Sequence, residues 1–383
     1  GSLNEISAMG KPALVIPKSN LPGDHQVMNA RSMERAGGAE ILYEQVAVVN
    51  GTLAESIDGK VLAEKILSLL RDEPRLLEMG ARSRAFLRHD ALSQIERLVR
   101  GDAVGAGALP PAVPAENHAL PGNAALLSRL EKAYERHRPA YRPEHVIGRA
   151  QDLDYLKNRA STLLVHPSWT ERNLGVKLIG LLQAKEKIPE LLALFNDRTP
   201  APFLKRLFGG DFEQVGFIRR NIMTALARIR ELSPEVESAL LLGLRDPYYE
   251  VRTEAAHAAA LFGEKLSARK DFVSALERLL ADKNIDVSTA AAEALGTIGD
   301  ETDALPALLG LWDARLWRLR TSVLRGILHL VDRGKVRDLE QLEAEVPKFI
   351  LTSTDFRPHF EIKFAYLRLM ESVSRKKEKR DAP

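Results

Sequence analysis

Apolar and polar positions follow two different rhythms along the chain. In the first part, short all-apolar runs alternate with stretches of helical period. Leu3 to Met9 reads as a short helix, stopped by Gly10 and kept from continuing by Pro12. Ala13 to Ile16 is an all-apolar run, the pattern of a strand covered on both faces. A polar loop follows, and Asp24 is placed to cap a helix carrying Gln26, Asn29, Met33 and Ala36. Gly37-Gly38 ends that helix, and Ala39 to Leu42 is the next strand. Residues 46–60 are less regular. Val61, Leu62, Ile66, Leu69 and Leu70 recur at helical spacing, and Asp58 or Gly59 can start that helix. Two more helical stretches carry Leu76 to Leu87 and Leu92 to Val99. Helix and strand in alternation predict an α/β layer over residues 1–100.

The second rhythm starts after a break. Residues 101–124 are dominated by Gly, Pro and Ala, with Pro110-Pro111 at the centre, which is a linker composition. From Leu126 onward only the helical period is present, and the pattern repeats. Asp246-Pro247 leads into Val251-Arg252, Ala255-Ala256 and Gly263, while Asp282 leads into Val287-Ser288, Ala291-Ala292 and Gly299. Val251 and Val287 stand 36 residues apart, as do Gly263 and Gly299. Ile218-Arg219 and Leu319-Arg320 extend the series on either side, and Arg172 is an earlier member. Such units cannot bury their apolar faces singly, so they must stack into a solenoid over residues 125–373, with about five or six helical pairs. The paired alanines mark close helix crossings, and Glu254 falls on the outer face. Arg198 to Gln214, rich in Pro, Gly and Phe, interrupts the rhythm. Residues 374–383 form a charged tail expected to be disordered.

Composition narrows the function classes. A net charge of +3 over 383 residues gives little support to nucleic-acid binding. With no cysteine, disulfides and thiolate metal sites are excluded. The same lack is compatible with a cytosolic location. No run approaches the length of a membrane span. Neither a metal-ligand spacing nor a Ser/His/Asp set stands out. Basic residues interleave with aromatics around Arg219-Arg220 and around Trp317, with Arg318 and Arg325. Such segments bind nucleic acid or anionic lipid, or are solvated helix faces over a core of aromatics.

Three pieces of the first part together resemble the donor-binding half of family 28 glycosyltransferases. They are Glu5 with Ala8-Met9-Gly10-Lys11-Pro12, the apolar strand ending in Pro17, and Asp24-His25-Gln26 with Asn29-Ala30 before Ala36-Gly37. The repeats resemble HEAT repeats, the pattern Asp-Pro-x-x-x-Val-Arg-x-x-Ala-Ala being nearly intact from Asp246 to Ala256. The first resemblance implies a Rossmann-like half-domain, the C-terminal part of a two-domain glycosyltransferase fold, joined to an all-α solenoid. It also implies roles for residues. Glu5 would accept hydrogen bonds from the ribose hydroxyls of a uridine nucleotide, as a carboxylate can from adjacent donors. Read without the family, Glu5 is a first-turn glutamate favoured by the helix dipole. His25 and Gln26 would face the sugar and pyrophosphate at a helix start, and Ser2 would lie in a shortened phosphate turn. The general base of the family lies outside this chain, so no catalytic residue is named.

The expected function is part of a UDP-sugar-dependent glycosyltransferase. UDP-N-acetylglucosamine is the donor, a lipid-linked molecule at the membrane is the acceptor, and no cofactor is needed. The solenoid would dock a protein partner. Lacking the acceptor domain and the first donor strands, the chain is expected to be inactive alone. The alternative is a non-catalytic HEAT-repeat scaffold carrying a decayed glycosyltransferase remnant.

Overall fold

The computed structural model describes residues 2–17, 25–49, 52–87, 121–195, 210–267, 269–351 and 360–381. Contacts divide the chain into two units, Gly1–His166 and Pro167–Pro383.

The first unit opens with α1 (Ser2–Met9), β1 (Ala13–Val15), α2 (His25–Arg35) and β2 (Ala39–Ile41). Gly10 takes the left-handed backbone (φ +61°) that ends α1. Its N–H donates to Ser7 O at 3.0 Å and that of Lys11 to Ile6 O at 3.2 Å. β1 and β2 pair in parallel, Ala13 opposite Ala39 and Val15 opposite Ile41, with α2 as the crossover between them. Val27, Ala30 and Met33 form the buried face of α2. All three residues of β1 are only half-buried, so this strand is not covered on both faces as its apolar run predicts. The reason is its setting: among the described residues, β2 is its one sheet neighbour.

The region that reads as irregular is a hairpin of β3 (Gln45–Val49) and β4 (Thr52–Ser56), paired antiparallel. α3 (Gly59–Leu70) follows, its N-cap Asp58 accepting from Lys60 N at 2.8 Å. Asp72 caps α4 (Glu73–Phe86) in the same way. α4 packs on α1, and Gly80 allows the approach, since a Cβ there would lie 2.6 Å from Gly10 O. The expected helix over Leu92 to Val99 lies outside the described residues, as does almost all of the linker. Asn123 and Ala124 already belong to α5 (Asn123–His137), which is followed by α6 (Glu144–Ile147) and α7 (Ala150–Thr162). These helices group with the first unit, and α7 packs on β3.

The second unit is a two-layer stack of helices. One row is α8 (Trp169–Leu181), α10 (Gly210–Ile229), α12 (Tyr249–Phe262), α14 (Ile285–Ile298), α16 (Trp317–Asp332) and α19 (Phe360–Asp381), each packed on the next. The other row holds α9 (Ile188–Phe195), α11 (Pro234–Gly243), α13 (Lys270–Leu279), α15 (Ala304–Leu309) and α17 (Leu339–Glu345); the short α18 (Lys348–Leu351) precedes α19. Ala255, Ala256, Ala291 and Ala292 are fully buried in the first row. A close crossing joins α14 to α16: a Cβ on Gly296 would stand 2.2 Å from Gly326 O. The charged tail is not disordered through Asp381 but continues α19. Its cations have receptors: Lys376 Nζ donates to Asp332 O at 3.0 Å, and Lys377 Nζ to Glu343 at 2.7 Å. The inserted segment Arg198 to Gln214 falls mostly outside the described residues.

Candidate functional site

In the first unit the residues expected at a donor site lie on two helices: Ser2 and Glu5 on α1, which leads through Gly10–Pro12 into β1, and His25 and Gln26 at the start of α2, the crossover from β1 to β2. The carboxyl edge of a parallel α/β layer is where such folds bind ligands. Ser2, Glu5 and Gln26 are all solvent-exposed. His25 is the first residue of α2. The cap residue Asp24 and the loop before it lie outside the described residues.

Behind this edge α2 is held by a buried polar cluster that sequence reasoning missed. Arg31, 9% exposed, is ion-paired to Asp152 of α7, 8% exposed. Its guanidinium also lies 4.3 Å from the ring centre of Tyr155, whose ring is 5.4 Å from that of Tyr43. Burial, then the neighbouring Glu34, push the Tyr43 hydroxyl above the usual tyrosine range. Burial likewise raises the Glu34 carboxyl, with Arg31 opposing. A buried charge stripped of its partner is costly, so α7 and α2 are coupled through this pair. Its members stand 121 residues apart, and no local pattern announces them.

In the second unit the recurring arginines form a ladder. Arg219 donates to both oxygens of Asp246, at 2.6 and 2.9 Å, and Arg252 to both of Asp282, at 2.8 and 3.1 Å. Each aspartate also accepts the N–H two residues on, Tyr248 or Asn284, at 2.9 Å. Burial tends to raise the Asp282 carboxyl, but the bonds from Arg252 and Asn284 N–H bring it below its ordinary value. Arg172 shares the register: it donates to Pro167 O at 2.8 Å, as Arg252 does to Pro247 O at 3.0 Å. Arg320 reaches Phe349 O at 3.3 Å. Ser288 stands in the arginine's place in α14 and bonds within its own helix, to Ile285 O at 3.1 Å.

Glu254 is half-buried on the polar face of the solenoid, held against its neighbours rather than pointing freely into solvent. It accepts from Thr224 of α10 at 3.0 Å and lies 3.8 Å from His257. With Arg220–Glu250 it belongs to a polar face laid across the first row of helices. Trp317, Arg318 and Arg325, basic and aromatic in sequence, lie on this face rather than in a core, beside a recess between α14 and α16.

Residues 1–95 match the glycosyltransferase family 28 C-terminal domain, and residues 237–327 match HEAT repeats. Among curated proteins the first part is similar to UDP-N-acetylglucosamine--N-acetylmuramyl-(pentapeptide) pyrophosphoryl-undecaprenol N-acetylglucosamine transferases. That of Caldanaerobacter subterraneus subsp. tengcongensis is 34% identical over 99 residues, 26% of this chain and 24% of the relative. That of Alkaliphilus metalliredigens is 34% identical over 94 residues, 24% of this chain and 23% of the relative. That of Geobacter sulfurreducens is 33% identical over 94 residues, again 24% and 23%. The chain thus spans about a quarter of the length of the curated relatives it matches. α5 to α7 lie beyond the matched residues, although they pack with them.

Proposed function

We propose that the first unit is the donor side of a glycosyltransferase that uses UDP-N-acetylglucosamine and transfers its sugar to a lipid-linked acceptor, with the solenoid docking a protein partner. What supports this reading is the match of residues 1–95 to the glycosyltransferase family 28 C-terminal domain, with Ser2 and Glu5 on α1 and His25 and Gln26 at the start of α2. In this reading Glu5 takes the two ribose hydroxyls, His25 and Gln26 face the sugar, and the start of α2 favours the pyrophosphate. Ser2 adds a hydroxyl near the phosphates. Among the described residues no helix is long and apolar enough to cross a membrane. In this reading the lipid-linked acceptor is met at the membrane surface.

Calorimetric titration tests the assignment. Hydrogen bonds to a charged group contribute about 1.5–3 kcal/mol. Glu5→Ala is therefore expected to weaken UDP about tenfold or more, at about 1.4 kcal/mol per decade. Gln26→Ala should weaken UDP-N-acetylglucosamine while leaving UDP nearly unchanged. Equal UDP affinity in Glu5→Ala and the parent protein would remove the donor site and leave the scaffold reading.

A further inference from the structure

Helix α3 is apolar over more of its circumference than its packing uses. Leu69 is buried and Leu62 half-buried, so these two form the face turned into the first unit. Lys65, on the same side, pairs with Glu40 of β2 at 3.1 Å. A second apolar stripe runs along the helix at Ala63, Ile66, Leu67 and Leu70, the i, i+3, i+4, i+7 spacing of one helix face. All four are solvent-exposed, Ile66 by 40%, Leu67 by 48% and Leu70 by 65%. A helix that is apolar on both sides is ordinarily buried on both. Glu64 and the C-cap Arg71 flank the stripe along one edge. Both are exposed, and among the described residues neither side chain has a hydrogen-bond or ion-pair partner.

We propose that this stripe docks on a second copy of the chain, α3 lying antiparallel to α3 about a two-fold axis near Leu67. Three properties select that partner. First, an antiparallel pair centred there sets Leu67 against its own counterpart and Ala63 opposite Leu70, so a small residue meets a large one at both ends. Second, the same pairing brings Glu64 of each copy beside Arg71 of the other, two symmetric ion pairs at the rim. Third, α3 with its caps carries three cations, Lys60, Lys65 and Arg71, against the carboxylates Asp58 and Glu64, and Lys65 is already engaged by Glu40. That is not the basic cluster an anionic membrane surface selects. One helix from each copy buries less than ~1,200 Å² in total, the low end for specific interfaces, so the dimer is a weak one with a Kd in the micromolar range. The proposal concerns the first unit alone and does not depend on the donor-site assignment.

The test uses the full chain. Sedimentation equilibrium between about 1 and about 200 µM is expected to show a monomer–dimer equilibrium. Leu67→Glu should weaken it at least about tenfold, some 1.4 kcal/mol. Glu64→Arg and Arg71→Glu should each weaken it too, while the two together restore it, because the crosswise pairs form again with their signs exchanged. The chain has no cysteine, so Leu67→Cys supplies a single thiol. Mild oxidation should join two copies through it, whereas Ser68→Cys, exposed but off the stripe, should stay monomeric on a non-reducing gel. Glu5→Ala should leave the equilibrium unchanged, which separates this result from the fate of the donor site. The proposal is overturned if the chain is still monomeric at about 200 µM. It is also overturned if Leu67→Glu dimerises as the parent does, or if the double charge reversal fails to restore what the single ones lose. A chain that stays monomeric and loses binding to phosphatidylglycerol vesicles on Leu67→Glu would make a lipid surface the occupant and overturn it equally.

Discussion

Replacing Gly296 by alanine tests how the solenoid is joined. In the middle of a helix this change ordinarily stabilises, by about 1 kcal/mol of helix propensity. Here the new methyl would meet Gly326 O at 2.2 Å, Gly326 Cα at 2.5 Å and Gly326 C at 2.6 Å. All three are backbone atoms of α16, so no side chain can swing aside. Ordinary contact begins near 3.4 Å, so α14 and α16 must separate by roughly 1 Å over their crossing. Overpacking costs about 1–3 kcal/mol, and a backbone obstacle belongs at the upper end. After the propensity gain, a net loss of about 1–2 kcal/mol remains. For a unit of this size that is a fall in melting temperature of about 2–8 °C. The control is Gly310→Ala, where the added methyl meets only the carbonyls of Pro306 and Ala307, at 3.4 and 3.6 Å. Thermal melts followed by circular dichroism compare the two. If Gly296→Ala melts with or above Gly310→Ala, the helices do not cross at these glycines and the joint described here is wrong.

Other outcomes follow from the buried and half-buried charges. Asp246→Ala leaves Arg219, 5% exposed, without its carboxylate and should cost about 3–5 kcal/mol by urea unfolding. Arg219→Met combined with Asp246→Leu should recover most of that loss; if the double variant is no better than the single one, the penalty is not an unpaired charge. His257 is raised above its ordinary value chiefly by the Glu254 carboxylate, 3.8 Å away. Its contribution is therefore complete below the ordinary histidine pKa of 6.5 and disappears as pH rises through the raised value. The melting advantage of the parent over His257→Gln should be larger near pH 6 than near pH 8.5, and an advantage that grows with pH would reverse the sign of this coupling. Asp282 works the other way: its pKa is lowered, so its contribution holds above the ordinary carboxylate value and is lost as pH falls through the lowered one. Asp282→Asn should match the parent only in strong acid, and equal stability at neutral pH would show that the Arg252 rung contributes nothing.

Much of the fold was legible because glycine, proline and cap residues punctuate it. Gly10 and Pro12 end α1, Asp58 and Asp72 open α3 and α4, and Asp246 and Asp282 open successive repeats. The hairpin over residues 45–56 was passed over although Val48-Val49-Asn50-Gly51-Thr52-Leu53 contains Asn-Gly between apolar residues, the strongest short-range hairpin signal. The allegiance of residues 123–165 was not legible at all. It rests on contacts such as α7 on β3 and Arg31 with Asp152, and a pair separated by 121 residues has no local signature. The polar face escaped for another reason. Glu254, Glu293 and Arg325 sit at helical spacing among apolar residues, and that pattern is the same whether the polar stripe meets water or a neighbouring helix. Likewise the tail reads as disordered by composition, because the residues that receive its cations, Asp332 and Glu343, lie on other helices.

The position held by Ser288 gives the stack two kinds of joint. Where Arg219 and Arg252 reach across, a bidentate fork fixes the angle as well as the spacing of neighbouring helices. Between α14 and α16 the helices meet glycine against glycine, and the arginine that spans them is Arg333, which donates to Gly296 O at 3.0 Å and to Gly299 O at 2.9 Å. The glycine contact fixes the distance between the two backbones, and the Arg333 bonds fix where along the helices it falls. Across the same joint, Arg318–Asp286 and Arg325–Glu293 are half-exposed pairs that restrain it weakly. The first two joints are therefore sensitive to charge, and this one to the volume of a single methyl group.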